Sequence, residues 1–152
     1  MPAGFADAFD FDQQVVCVTG AGQGIGAAVA EAFAAQNAAV VVADIDEDAA
    51  EETATALDRE YDAETLAVGV DVAAYEQAQA MVETIAAEFG GLDVLVNNAG
   101  VAGTAPFLKS DPEDWQQKIG VSLFGTLNCT HAALPEILAR DGTVINYASS
   151  SY

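Results

Sequence analysis

The chain has 152 residues, 52% of them hydrophobic, enough for one globular domain that buries roughly 70% of the surface its unfolded form exposes. Four basic residues, Arg59, Lys109, Lys118 and Arg140, stand against 24 acidic ones, and the net charge of −20 repels nucleic-acid phosphates and anionic lipid headgroups, which argues against both as partners. No apolar run reaches the ~18 residues of a membrane span. The first stretch carries Asp7, Asp10 and Asp12 with no Lys or Arg, unlike a secretory signal, so the expected compartment is the cytoplasm.

Residues 1–12 read as a loose start and 13–152 as one domain. "QVVCVTG" (14–20) is a short β-rich run closed by glycine, and "IGAAVAEAFAAQN" (25–37) follows with helical spacing of Ile25, Val29, Ala32 and Phe33. "AAVVVADI" (38–45) is a continuous apolar run suited to a strand covered on both faces. Glu47 to Arg59 then reads as an acidic amphipathic helix, "TLAVGVDV" (65–72) as a third strand, and "YEQAQAMVETIAAEFG" (75–90) as a third helix. The last of these puts Ala78, Met81, Val82, Ile85 and Phe89 on one face and closes on Gly90. "LDVLVNNAG" (92–100) is a fourth strand, and a loop with Gly103 and Pro106 leads to a helix capped by Ser110 or Asp111, with Pro112 in its first turn. That helix is expected to run to about Arg140 with a bend near Pro135, before a fifth strand in "GTVINYAS" (142–149). Strands alternating with helices through short loops predict an α/β, doubly wound, Rossmann-like parallel sheet with helices on both faces.

Cys17 lies in an apolar run and Cys129 on a helix, with no CxxC and no His at metal spacing, so both read as small buried hydrophobes and no metal site is expected. His131, the single histidine, reads as a helix-surface residue.

The chemistry concentrates at strand ends. In "VTGAGQGIG", Gly20, Gly24 and Gly26 stand where the first strand turns into the first helix. Glycines there let the backbone turn sharply and approach a pyrophosphate held at the positive end of the helix. A purely structural turn would use the same residues. Asp44 ends the second strand 24 residues after Gly20, where a carboxylate can accept hydrogen bonds from an adenosine ribose, and it could equally cap the helix that starts at Glu47.

Together, "TGAGQGIG" (19–26) and "NNAG" (97–100) resemble the cofactor turn and second signature of the short-chain dehydrogenase/reductases, over nearly the whole chain from Gln14. The resemblance implies a nicotinamide dinucleotide held by Gly20, Gln23, Gly24, Ile25 and Gly26 of the turn, by Asp44 and Ile45, by Asp71 and Val72 at the adenine, and by Asn98, Ala99 and Gly100 at the ribose. It further implies that Asn97 ties neighbouring strands together, that Ser149 is the catalytic serine, and that Ser122 stands where the family often has an Asn supporting a proton relay. A small alcohol/carbonyl substrate is implied, and a homo-oligomer for the complete family form. The family's Tyr-x-x-x-Lys pair, whose tyrosine is the acid/base, does not occur in the 152 residues, and Tyr152 has no lysine after it. The domain is therefore expected to be incomplete at its C-terminus and inactive by itself. NAD is expected over NADP, since Asp44 repels a 2′-phosphate and Ala21, Gln23 and "DIDEDAA" supply no cation to neutralise one. A dinucleotide-binding module without catalysis, or a protein that keeps only the fold, are the competing classes.

Carboxylates spread along amphipathic segments, rather than segregated in a tail, fit a folded domain adapted to high salt; an ordinary acidic surface is the alternative. Screening shortens the Debye length to ~3 Å at 1 M salt. The thermal midpoint is therefore expected to rise as potassium chloride goes from about 0.1 M to about 1 M; a melt insensitive to salt, or highest at low salt, refutes the adaptation.

Overall fold

The computed structural model describes residues 10–101 and 106–148. Along these run β1 (Val15–Thr19), α1 (Gly24–Ala34), β2 (Ala39–Asp44), α2 (Glu47–Tyr61), β3 (Thr65–Gly69) and α3 (Tyr75–Phe89). They are followed by β4 (Val94–Asn97), a single 3-10 turn (Phe107–Lys109), α4 (Pro112–Ile119), a π-helical stretch (Gly120–Gly125), α5 (Thr126–Ala139) and β5 (Thr143–Asn146). Among the described residues the sheet has the order β3-β2-β1-β4-β5, with every pairing parallel. This is the doubly wound α/β fold that the alternation of elements predicts.

The apolar strand runs are continuous because each central strand is covered twice. Val16, Val18, Val40, Val42, Val94 and Val96 face one core with Ala30 and Ala34 of α1 and Ala54 and Leu57 of α2. Cys17, Val41, Ala43 and Leu95 face the other, with Met81 and Ile85 of α3 and Cys129, Ala133 and Ile137 of α5. A strand buried on both faces needs no polar alternation. The expected face of α3 is the observed one, with Ala78, Met81, Val82 and Ile85 buried and Gly90 closing the helix at φ 79°.

Four expectations need correction. The buried face of α1 is Gly26, Ala30 and Ala34, whereas Ile25 is 68% exposed, so the inward stripe is one residue later than its larger side chains suggest. Small side chains win there because they let the helix lie close to the sheet. The strands expected at 65–72, 92–100 and 142–149 are shorter, ending at Gly69, Asn97 and Asn146, and leave Asp71 and Asn98 beyond them. The cap of α2 is Asp46, which accepts from the Ala49 N–H at 3.2 Å, and not Asp44. Finally, α5 is continuous through the exposed Pro135, and the departure from α geometry falls at Gly120–Gly125 instead. Gly125 there packs so closely on Val72 that a Cβ would lie 2.6 Å from Val72 Cγ2. Of the two candidate caps for α4, Asp111 is used, in a capping box with Asp114 and with Pro112 following.

Within the expected loose start, Phe11 is already anchored: its N–H donates to the Gln36 carbonyl at 2.9 Å and its ring meets Phe33 edge-on at 4.9 Å. At the other side of the sheet β5 is an edge strand, and Leu123, Phe124, Leu127, Leu134 and Leu138 are exposed along the π-helical stretch and α5. No helix among the described residues is long and apolar enough to cross a membrane.

Burial pushes both thiols up, Cys129 to about 12 and Cys17 further, with the neighbouring Cys129 adding to the effect at Cys17. Thiolate is the reactive form, so both cysteines are expected to resist a disulfide-exchange reagent at pH 8 in the native state and to react fully in denaturant. Stoichiometric labelling of either thiol without unfolding would contradict the packing described.

Candidate functional site

Parallel pairing brings the carboxyl ends of all five strands to one edge, with Thr19 beside Ala43, Asp44 beside Gly69 and Asn97 beside Asn146. The order of strands reverses between β1 and β4, and a crevice opens at such a point because the connections leave in opposite directions. The turn from β1 to α1 occupies it.

That turn is anchored residue by residue. The Asn98 side-chain amide donates to the carbonyls of Thr19, at 3.0 Å, and Gly20, at 3.1 Å. The Thr19 hydroxyl, buried, accepts from the N–H groups of Asn98 and Ala99, each at 3.1 Å, and donates to the Val96 carbonyl at 3.4 Å. Ala21 donates its N–H to the Ala43 carbonyl at 3.1 Å, and Gly22 donates to Asp44 Oδ2 at 2.8 Å. Two glycines are sterically required. At Gly20, with φ 66°, a Cβ would sit 2.8 Å from Ala99 Cα; at Gly26 it would strike the Gly20 carbonyl and lie 2.5 Å from the Asn98 nitrogen. Both exist because turn, helix and the end of β4 touch through backbone.

The N-terminus of α1 differs from its neighbours. The caps of α2 and α4 are Asp46 and Asp111, and both helices have two acids in the first turn; α1 has Gln23 as its cap, no side-chain cap bond and no acid in its first turn. In a chain with 24 acidic residues, this helix end keeps its first N–H groups and its positive dipole end for another acceptor. An anion is the chemistry that suits it. Gln23, Gly24 and Ile25 lie exposed around it.

Asp44 closes β2 with both oxygens engaged, Oδ2 by Gly22 and Oδ1 by the Asp46 N–H at 3.0 Å. A carboxylate offers about four acceptor positions, so two remain for hydroxyl donors. Ile45 beside it is 74% exposed. Asp71 accepts from the Ala73 N–H at 2.9 Å and shapes the loop after β3, while the Val72 side chain is buried in the core and only its backbone shares that loop. Asn128 of α5 holds the same loop by donating to the Val72 carbonyl at 3.0 Å and the Ala73 carbonyl at 3.2 Å. Asn97 donates to Thr130 at 3.0 Å and to Asn146 at 2.9 Å, joining β4 to α5 and β5. Ala99 is half-buried and Gly100 exposed as the chain leaves the edge.

Ser122 lies exposed in the π-helical stretch, its carbonyl accepting from the Thr126 hydroxyl at 2.9 Å. Ser149, with Ser150, Ser151 and Tyr152, lies outside the described residues. Among the described residues no cluster of His, Cys, Asp or Glu is arranged to hold a metal ion. A cleft lined by Phe11, Phe33, Asp93, Arg140 and Ile145 sits at the opposite edge, by the strand starts, away from these groups. Thr19, Thr53 and Asn128 were not singled out by sequence reasoning; only Thr19 carried a signal, its place in "VTG", because the partners of the other two come from other elements.

Comparison with known proteins bears on this arrangement directly. The family model for short chain dehydrogenase matches residues 14–151. Among curated relatives, meso-2,3-butanediol dehydrogenase of Serratia marcescens is 38% identical over 141 residues, covering 93% of this chain and 55% of the relative. D-threitol dehydrogenase of Mycolicibacterium smegmatis is 38% identical over 146 residues, covering 94% and 56%. Among solved structures, L-sorbose reductase from Gluconobacter frateurii, complexed with NADPH and L-sorbose, superposes with a TM-score of 0.85 at 32% identity, over 91% of this chain and 53% of that one. The chain belongs to the short-chain dehydrogenase family. It spans about half the length of the relatives it matches.

The closeness of the turn to β4 can be tested by stability alone. Gly26→Ala is expected to cost about 1–3 kcal/mol, because the added methyl meets a fixed carbonyl and a committed amide. Denaturant melts of the two proteins measure it, and an unchanged midpoint would show that the turn has room to move.

Proposed function

We propose that this chain is the cofactor-binding part of an oxidoreductase that exchanges a hydride between a nicotinamide dinucleotide and a small alcohol/carbonyl pair. Family membership and the polyol and diol names of the relatives support that class of reaction. In this reading the pyrophosphate lies against Gly20, Gln23, Gly24, Ile25 and Gly26, at the uncapped end of α1. Asp44 accepts from the adenosine ribose with Ile45 alongside, Asp71 and the Val72 backbone meet the adenine, and Asn98, Ala99 and Gly100 line the inner ribose. The nicotinamide, when bound, supplies the hydride acceptor or donor. Ser149 positions the substrate oxygen, and Ser122 takes the place of a relay residue.

The observation that carries the cofactor reading is the Asp44 carboxylate, held at the end of β2 by the Gly22 N–H at 2.8 Å. It favours NAD(H). A 2′-phosphate would meet a fixed negative charge, and the turn and the start of α2 offer no Lys or Arg to offset it. One repulsion at ~4 Å costs on the order of 1 to 4 kcal/mol between water-like and surface dielectric. The sorbose reductase structure contains NADPH, so the preference for NAD(H) in this reading rests on the local charge at Asp44 alone. The exposed apolar residues of the π-helical stretch and α5 support a homo-oligomer for the complete family form, and the −20 charge supports a high-salt setting.

Titration of both cofactors at the same salt is expected to give NADH at least about tenfold tighter than NADPH, a difference of ~1.4 kcal/mol. Asp44→Ala should narrow the gap. NADPH binding equal or tighter overturns the assignment. With no Tyr-x-x-x-Lys in its 152 residues, the chain should show no change in NADH absorbance with a panel of alcohols or ketones. Joining a segment that carries the motif in frame should bring turnover, which Ser149→Ala then largely removes with little effect on NADH affinity. Robust turnover by the 152 residues alone would place the proton source elsewhere.

A further inference from the structure

Threonine inside a helix can turn its hydroxyl back to the carbonyl four residues earlier. Thr84 does so to Ala80 at 2.9 Å, and Thr126 to Ser122 at 2.9 Å. Thr53 of α2 does not. Its hydroxyl reaches out of the helix and donates to the Gly22 carbonyl at 3.0 Å, across a half-buried contact. Gly22 itself rests on the face of α2 that Ala49 and Thr53 share, where a Cβ on the glycine would lie 3.0 Å from the Ala49 Cβ and 3.0 Å from Asp44 Oδ2.

Gly22 is therefore held on both sides, its N–H by Asp44 and its carbonyl by Thr53. A glycine has more freedom to rotate these groups than any other residue. Across a trans peptide the carbonyl and the next N–H point in opposite directions, so turning the Gly22 carbonyl toward α2 turns the Gln23 N–H away from it, at the cap of α1. One hydroxyl thus holds the Gly22 carbonyl at the entry to the uncapped helix end and restricts the same glycine whose N–H meets Asp44.

We infer that Thr53 is a positioning residue for the dinucleotide, acting through Gly22 on Asp44, and this rests on the cofactor reading given above. Its hydroxyl is committed to Gly22, so its effect passes through that residue. Its contribution is preorganisation, which keeps the acceptor oriented before binding so that less order has to be imposed by the ligand.

The test is NADH titration of the full 152-residue chain and its variants by nucleotide fluorescence, with a thermal melt of each. Thr53→Val keeps the shape and removes the donor; it is expected to weaken NADH binding about five- to tenfold with a nearly unchanged melt, and Thr53→Ala to agree with it. Thr53→Ser, which keeps the hydroxyl, restores affinity. In an Asp44→Asn background the same Thr53→Val change should cost less than about twofold, since the two residues act as one unit. The inference is overturned by binding that stays within about twofold of the parent in Thr53→Val, by a Ser variant as weak as Val, or by equal losses in both backgrounds. If the parent chain itself binds no NADH, the cofactor reading fails and the inference falls with it, an outcome distinct from the other three.

Discussion

The structure depends on one close approach: the turn after β1 passes between the start of α1 and the end of β4 at glycines, with no Cβ of the turn to hold them apart. Gly20 and Gly26 remove the obstructing Cβ atoms, and Asn98, just past the end of β4, fills the space between with an amide that bonds the carbonyls of Thr19 and Gly20. Buried backbone groups need partners, and here side chains from neighbouring elements provide them. Thr19 answers from the other direction, accepting from Asn98 and Ala99. The crevice edge is consequently cross-bonded, and the first N–H groups of α1 are presented at it.

Charge placement follows the same logic. With 24 acids and four bases, most surfaces of this protein repel anions, so an anion needs a place from which carboxylates have been kept away. The first turn of α1 carries no acid of its own, while α2 and α4 place acids at theirs, where the helix dipole favours them. At the opposite edge Asp93 combines Arg140, at 3.0 Å, with the N–H of Val15, at 2.8 Å, and so joins the starts of β1 and β4 to the end of α5. That pair is partly exposed and its contribution is of the modest size usual for surface ion pairs. Its place suits holding the sheet at the end away from the crevice.

Much of this was legible from residue order. Continuous apolar runs, glycines at the turn and the period of α3 lead to the doubly wound sheet, and "TGAGQGIG" with "NNAG" leads to the family. Where sequence reasoning missed, a contact with a distant element had outweighed a local preference. The inward face of α1 moved because backbone proximity selects Gly26 over Ile25, and the helix irregularity moved from Pro135 to Gly120–Gly125, beside the contact of Gly125 with Val72.

Composition, periodicity and glycine spacing by themselves determined the class of fold and the order of its elements, because these depend on local conformation and on which residues avoid water. Which partner each polar group takes was decided only by the tertiary structure. That Asp46 rather than Asp44 caps α2, that Asp44 turns to Gly22, and that Thr53 leaves its own helix for the same glycine all depend on residues 2 to 31 positions apart meeting at one edge. A side chain with several possible acceptors chooses by proximity and direction, and neither is set until the sheet has brought the strand ends together.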